Sequence, residues 1–192
     1  MKSLKGQLLL AVPQLPDPNF YQSVIFMIQH DEESAFGLSL NRKIDKTIGE
    51  VWEEASLSES ASKLPIYLGG PVIGPLMTLH TLEHYSDLEV FPGIYFTSDR
   101  SQITGLMENS KEPVRIFVGY SGWGPGQLEH ELEEGSWIAT DVKHDYIFHS
   151  EENLWERITR DISNPILDQI LSSTNPPSDP WGNQTRHPPP LG

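Results

Sequence analysis

No cysteine occurs in this chain of 192 residues, which excludes thiol catalysis, cysteine-bound zinc, disulfide stapling and redox switching at sulfur, and fits a reducing compartment. Basic residues are scarce. Thirteen Lys and Arg stand against 27 Asp and Glu, a formal charge of −14, so most of the surface repels a phosphate backbone, and no basic cluster offsets it. Direct nucleic-acid binding is not expected. Long apolar runs are missing too: none approaches the roughly 18 residues of a membrane span. The run Leu8 to Val12 is too short for a signal peptide core and ends in Pro13 without a small-residue cleavage site. The expected location is therefore cytoplasmic, with no membrane association.

Five Trp, seven Phe and a 37% hydrophobic content can fill a core, and the length suits one compact domain with a tail. Gln7 to Val12 and Val24 to His30 are strand-like, separated by a proline-broken loop, and Phe36 to Leu40 alternates as the partner of the second in an antiparallel pair. Thr47 and Glu50 have capping-box spacing ahead of Ile48, Val51, Trp52 and Ala55, which predicts a short helix, with Ser56 to Lys63 as its exit loop. A strand ending in the turn Gly69-Gly70-Pro71 precedes another strand at Leu76 to Leu82. Ser98 or Asp99 caps a helix carrying Ile103, Leu106 and Met107.

Val114 to Val118 reads as a central strand buried on both faces. It leads into the turn Gly119 to Gly126 and a helix from Gln127 to Glu134. Trp137 to Val142 and Tyr146 to Phe148 read as a final hairpin. Leu154, Ile158 and Ile162 form a closing helix, and Pro165 starts a second one. The expected fold is α+β, a single domain over residues 1–175 with a large mixed, mainly antiparallel β-sheet and flanking helices. From Pro176 onward six of seventeen residues are proline, so residues 176–192 are expected to be a disordered tail.

The glycine segment is the strongest local signal for a ligand, because glycines let backbone approach closely and a helix start favours an anion. Its composition opposes that use. It matches neither a dinucleotide fingerprint nor a P-loop, and Glu129, Glu131, Glu133 and Glu134 follow it. Ser121 lies where a nucleophile elbow would place it, but the elbow needs glycine two residues later and this chain has Trp123. His80-Thr-Leu-Glu-His84 matches an inverted zinc-peptidase string. On a strand, however, positions four apart are over about 13 Å apart and cannot share a metal. His80 reads instead as a hydrogen-bonded residue at a strand end, and no metal or cofactor is expected.

The segments GQLLLAVPQLPDPNFYQSVIFMIQHDEESAFGLSLNR, YLGGPV with LMTLH, GIYFTSD and RIFVGYSGWGPGQLEHELEEGSW together resemble the AlgH/YqgE family of bacterial proteins, from about Gly6 to Arg160. The likeness implies a compact α+β fold with a large mixed sheet and no established enzymatic activity. It brings a family name as transcriptional regulators, and no accepted catalytic residues. Ser34-Ala35-Phe36-Gly37 replaces the family's usual Gly-Ala-Met-Gly, and the proline-rich end has no counterpart. The resulting expectation is a non-enzymatic binding or regulatory protein acting on transcription indirectly, through a protein or a small neutral or cationic ligand. Its candidate surface comprises His30, Asn41, Gly70, His80, Ser121, Trp123, Gln127 and Glu131. The alternative is a small-molecule hydrolase or transferase with His30 or His80 as general base, which requires one of them beside a cleft with an acidic or hydroxyl partner.

Overall fold

The computed structural model describes residues 2–15, 17–52, 61, 63–109, 111, 113–148 and 153–173. Among the described residues ten strands build one sheet. Strand β1 (Leu8–Ala11) is followed by β2 (Val24–His30), β3 (Ala35–Ser39), β4 (Lys43–Thr47), β5 (Pro65–Leu68), β6 (Val72–His80), β7 (Leu88–Phe91), β8 (Ile94–Thr97), β9 (Val114–Trp123) and β10 (Trp137–Thr140). The path runs β10-β1-β2-β3-β9-β6-β8-β7, with β4 and β5 joined to it through β9. Of the strand pairs among the described residues only β5–β9 is parallel. The α+β class and the large, mainly antiparallel sheet match the expectation.

Five α-helices among the described residues flank the sheet: α1 (Ile48–Val51), α2 (Arg100–Asn109), α3 (Gln127–Glu133), α4 (His144–Phe148) and α5 (Leu154–Ser173). They divide the interior into three clusters. Leu8, Val24, Phe26 and Phe117 pack on one face with Tyr146, Leu154 and Ile158. Leu9, Ile25 and Met27 pack on the other with Trp123, Leu128 and Trp137. Ile48, Ile103 and Leu106 cover Ile66 and Ile116. Burial on both faces is why β1 and β2 read as unbroken apolar runs.

Local chemistry sets several boundaries as the residues imply. The Glu50 carboxylate accepts from the amide and hydroxyl of Thr47, each at 2.7 Å, closing the start of α1. Asp99 accepts from the amides of Ser101 and Gln102 at 2.9 and 3.0 Å and caps α2. Gly105 inside α2 has a packing reason, since a Cβ there would lie 2.5 Å from the Tyr85 ring.

Three expectations are corrected. The glycine segment is not one long turn: β9 continues to Trp123, paired with β3, because Gly119, φ +68, lets the strand bend without ending. The turn proper is Gly124 to Gly126. There is no final hairpin. Trp137–Thr140 pairs with β1, and Tyr146 to Phe148 lies in helix α4, where Tyr146 and Ile147 turn inward. Pro165 does not begin a separate helix; α5 is continuous across it. The stretch Lys43–Thr47, to which the sequence assigned no element, is strand β4 against β5. The exit loop at Ser56 to Lys63 lies almost entirely outside the described residues, and the proline-rich tail wholly so.

Two backbones cross where β5 ends. A Cβ on Gly69 would lie 2.3 Å from the Gly119 carbonyl oxygen, and one on Gly70 would lie 2.2 Å from the Tyr120 carbonyl carbon. No side chain fits there, and neither backbone can retreat without breaking β9 pairing. Gly70→Ala is expected to cost about 3 kcal/mol or more. Gly124→Ala, where nothing lies within 4 Å of the added carbon, is expected to stay within about 0.5 kcal/mol of wild type. Urea midpoints at equal m-values check both.

Candidate functional site

Helix α3 converts its acidic residues into structural acceptors. Glu131 Oε2 accepts from both indoles, Trp123 Nε1 at 2.8 Å and Trp137 Nε1 at 2.7 Å. Its other oxygen accepts from Gln127 Nε2 at 2.9 Å, while Gln127 Oε1 accepts from the Gly124 amide at 3.1 Å. Buried indole N–H groups need partners, so this carboxylate fixes the helix over the second cluster. Trp123 is a buried member of that cluster.

His30 performs a similar task. Its Nδ1 accepts from the Leu4 amide at 3.0 Å, so in the neutral ring the proton sits on Nε2, which donates to Glu129 Oε1 at 2.8 Å. The residue's own amide, and then His30, hold the Glu129 carboxylate below its usual range. The pair ties the N-terminal segment and α3 to the end of β2.

The remaining candidates are dispersed. Asn41 accepts from the Val24 amide at 3.0 Å and donates to the Gln22 carbonyl at 2.7 Å. Ser121 is wholly buried and donates to the Gly69 carbonyl at 3.2 Å, so its hydroxyl is a strut of the glycine crossing, beside Gly70. His80 pairs with Val114, seven residues along β9 from Ser121 and therefore about 23 Å away at strand rise. Trp123, Gln127 and Glu131 come together, as do Gly70 and Ser121, and His30 reaches α3 through Glu129. His80 and Asn41 join neither group.

His80 also corrects the expectation of a hydrogen-bonded ring. It is fully buried, stacks on Tyr95 at 6.2 Å between centroids, and neither nitrogen meets a hydrogen-bond partner among the described residues. Desolvation pushes the imidazole down to about 4, against the opposing pull of the Leu82 backbone, which falls short of hydrogen-bond geometry, and of Asp87. Among the described residues no three metal-type side chains gather.

Two open clefts adjoin on the β6–β9 side; of the sequence candidates only Trp123 lines either, and the other lining residues were missed. The first, about 620 Å³, lies among Val51, Trp52, Leu76, Arg100, Ile103 and Val118. The second, about 500 Å³, is walled by Phe36, Met77, Phe96, Tyr120 and Trp123 and contains no charged side chain. Pro75 and Ser98 line both. The clefts exist because β6 is incompletely paired. Its register against β9 shifts between Val72 and Leu76, and its pairing with β8 covers only Thr78 to His80. Pro75 cannot donate to a ladder, and the bulge turns Ile73 outward to 96% exposure. The apolar run Pro71-Val72-Ile73-Gly74-Pro75 was the available signal, since a half-buried strand should alternate. Neither His30 nor His80 lines either cleft.

The AlgH-like family profile (DUF179) matches residues 8–166. The chain belongs to the AlgH-like family. It is 38% identical over 165 residues to a UPF0301 protein of Myxococcus xanthus, covering 83% of this chain and 91% of that one. It is also 38% identical over 164 residues to a UPF0301 protein of Chlorobaculum tepidum, covering 81% and 84%. The solution structure of the AlgH protein from Pseudomonas aeruginosa superposes on this AlgH-like chain with a TM-score of 0.70 at 27% identity, covering 90% of this chain and 94% of that one. A crystal structure of a Corynebacterium diphtheriae protein, 22% identical with a TM-score of 0.68 over 84% and 87% of the two chains, shares the fold. No helix among the described residues is long and apolar enough to cross a membrane.

The depressed His80 value gives a pH signature. The unfolded chain takes up a proton near 6.5 and the folded one only near 4, so this part of the stability is complete above pH 6.5 and is lost as pH falls towards 4, by about 3 kcal/mol. His80→Phe, which keeps a ring against Tyr95, is expected to flatten that slope in chemical denaturation between pH 6.5 and 4.

Proposed function

We propose that this AlgH-like protein is a binding protein whose working surface is the pair of clefts flanking Pro75 and Ser98, and that any effect it has on transcription runs through the bound partner. The uncharged aromatic lining of the second cleft carries the reading. Its occupant is a neutral or cationic group, because desolvating an anion against four aromatic rings in a chain of charge −14 is unfavourable, whereas ring faces attract cations. The fully exposed Ile73 beside the clefts supplies an apolar contact for a larger partner. The hydrolase or transferase alternative gains no support from this surface, since neither histidine borders it.

Ser98 is exposed and lines both clefts, so Ser98→Trp closes them without disturbing the core. In amide NMR titrations, tetramethylammonium and small neutral aromatics are expected to shift Phe36, Tyr120 and Gly122. Benzoate should bind about tenfold more weakly, and Ser98→Trp should abolish the response at unchanged melting temperature. Shifts scattered over the molecule, or equal binding of benzoate, would overturn the assignment. With duplex DNA at physiological salt, fluorescence anisotropy is expected to detect only weak, non-specific association; a sequence-specific nanomolar complex would refute the indirect route.

A further inference from the structure

A third, smaller pocket of about 130 Å³ lies where three loops meet, lined by Asn19, Ser39, Arg42, Leu68 and Gly70 among others. Arg42 is held in place there. Its Nη2 donates to the Tyr21 carbonyl at 2.7 Å and to Ser23 Oγ at 3.2 Å, and the neighbouring Asn41 fixes Gln22, which takes the unusual φ of +52 for a residue with a side chain. In a chain with twice as many acidic as basic residues, Arg42 has no carboxylate within ion-pair distance among the described residues.

Two buried donors at this pocket also lack partners among the described residues, Arg42 Nε and the hydroxyl of Ser39, a residue only 2% exposed. Arg115, deeply buried where Arg42 is half-buried, shares an unpartnered Nε, but both its terminal nitrogens are engaged: they donate to the carbonyls of Ile147 and Leu40, and the guanidinium lies 3.9 Å from the Tyr67 ring centroid. Unpaired buried donors are costly, and a guanidinium with an adjacent hydroxyl is the donor set that oxyanions satisfy. Asp17, beside Asn19 in the chain, is the nearest acidic residue in sequence, and its carboxylate is engaged by the Asn19 amide at 2.8 Å.

We infer that the Arg42–Ser39 pocket binds a single oxyanion group, a phosphate or a carboxylate, at a site separate from the clefts. The volume corresponds to about four water molecules, enough for one such group and too small for a nucleotide. Leu68, which lines the pocket, is 42% exposed, and Tyr21, next to the lining residue Phe20 in the chain, is 57% exposed, so the group can belong to a larger molecule with an apolar body. The inference does not rest on the reading of the clefts.

The test is thermal melting of the full chain in Hepes with added inorganic phosphate or acetate at constant ionic strength. The expected result is a saturable rise in melting temperature with a half-maximal effect in the millimolar range, and the more effective anion identifies the source of the oxyanion. Ser39→Ala removes a hydroxyl that has no partner, so it should melt at or above wild type without anion and require about tenfold more phosphate or acetate for the same rise. In amide NMR the same anion should shift Asn19, Ser39 and Gly70, in the Ser98→Trp variant as in wild type. A rise that does not saturate and is identical in Ser39→Ala is a general exclusion effect and overturns the site. So does a Ser39→Ala protein that melts below wild type without anion, since the hydroxyl would then have a structural partner.

Discussion

The contact on which the rest of this structure depends is backbone against backbone, Gly69 and Gly70 laid across Gly119 to Ser121. Strand β9 belongs to all three apolar clusters, through Phe117, Ile116 and Trp123. To do so it must exchange neighbours midway. Up to Val118 it runs beside β5, and from Ser121 it runs beside β3. The exchange happens at the crossing, where the Gly69 carbonyl accepts from the Ser39 amide at 2.8 Å and from Ser121 Oγ at 3.2 Å, while the Gly69 amide donates to Val118 at 2.9 Å. One residue thus joins β3, β5 and β9, at a separation that only glycine permits.

That constraint explains the acidic helix that follows. Once β9 runs on to Trp123, its indole lies in the second cluster edge to face with Trp137, 5.9 Å between centroids, and both N–H groups need acceptors in an apolar surrounding. Glu131 serves both, and Glu129 serves His30. The carboxylates that argue against a phosphate at this turn are therefore not all idle surface charge. Two of the four, Glu129 and Glu131, hold α3 to the sheet.

The fold was legible wherever the signal is local. Capping by Glu50 and Asp99, the unbroken runs of β1 and β2, and the two-sided burial at Val114 to Val118 follow from side-chain chemistry and period alone. The misreadings arise where distant partners decide. Trp137 to Thr140 is a strand because β1 offers an edge, whereas Tyr146 to Phe148 is helical because Arg115, thirty-two residues away in sequence, donates to the Ile147 carbonyl. Gly119 to Trp123 read as turn because glycine is permissive, and only the crossing reveals that permissiveness used to extend a strand. Of the candidate site residues, those within one element could be grouped from sequence. Whether His80 meets Ser121 depends on strand register, which a sequence read alone leaves open.

The same constraint places the clefts and the small pocket. The chain that leaves the crossing at Gly70 must begin β6 at once, displaced by the close approach, so Val72 meets Tyr120 but regular pairing resumes only at Leu76. Between those points the edge cannot pair with β8, which joins only at Thr78. An unpaired edge between aromatic walls becomes the pair of clefts. The chain entering the crossing ends at Leu68, whose amide donates to the Arg42 carbonyl at 2.7 Å and so brings the Arg42 loop against Gly70. A cation without a carboxylate and a cleft without a charge thus arise on the two sides of one glycine contact, each where the demands of that contact prevent the sheet from closing.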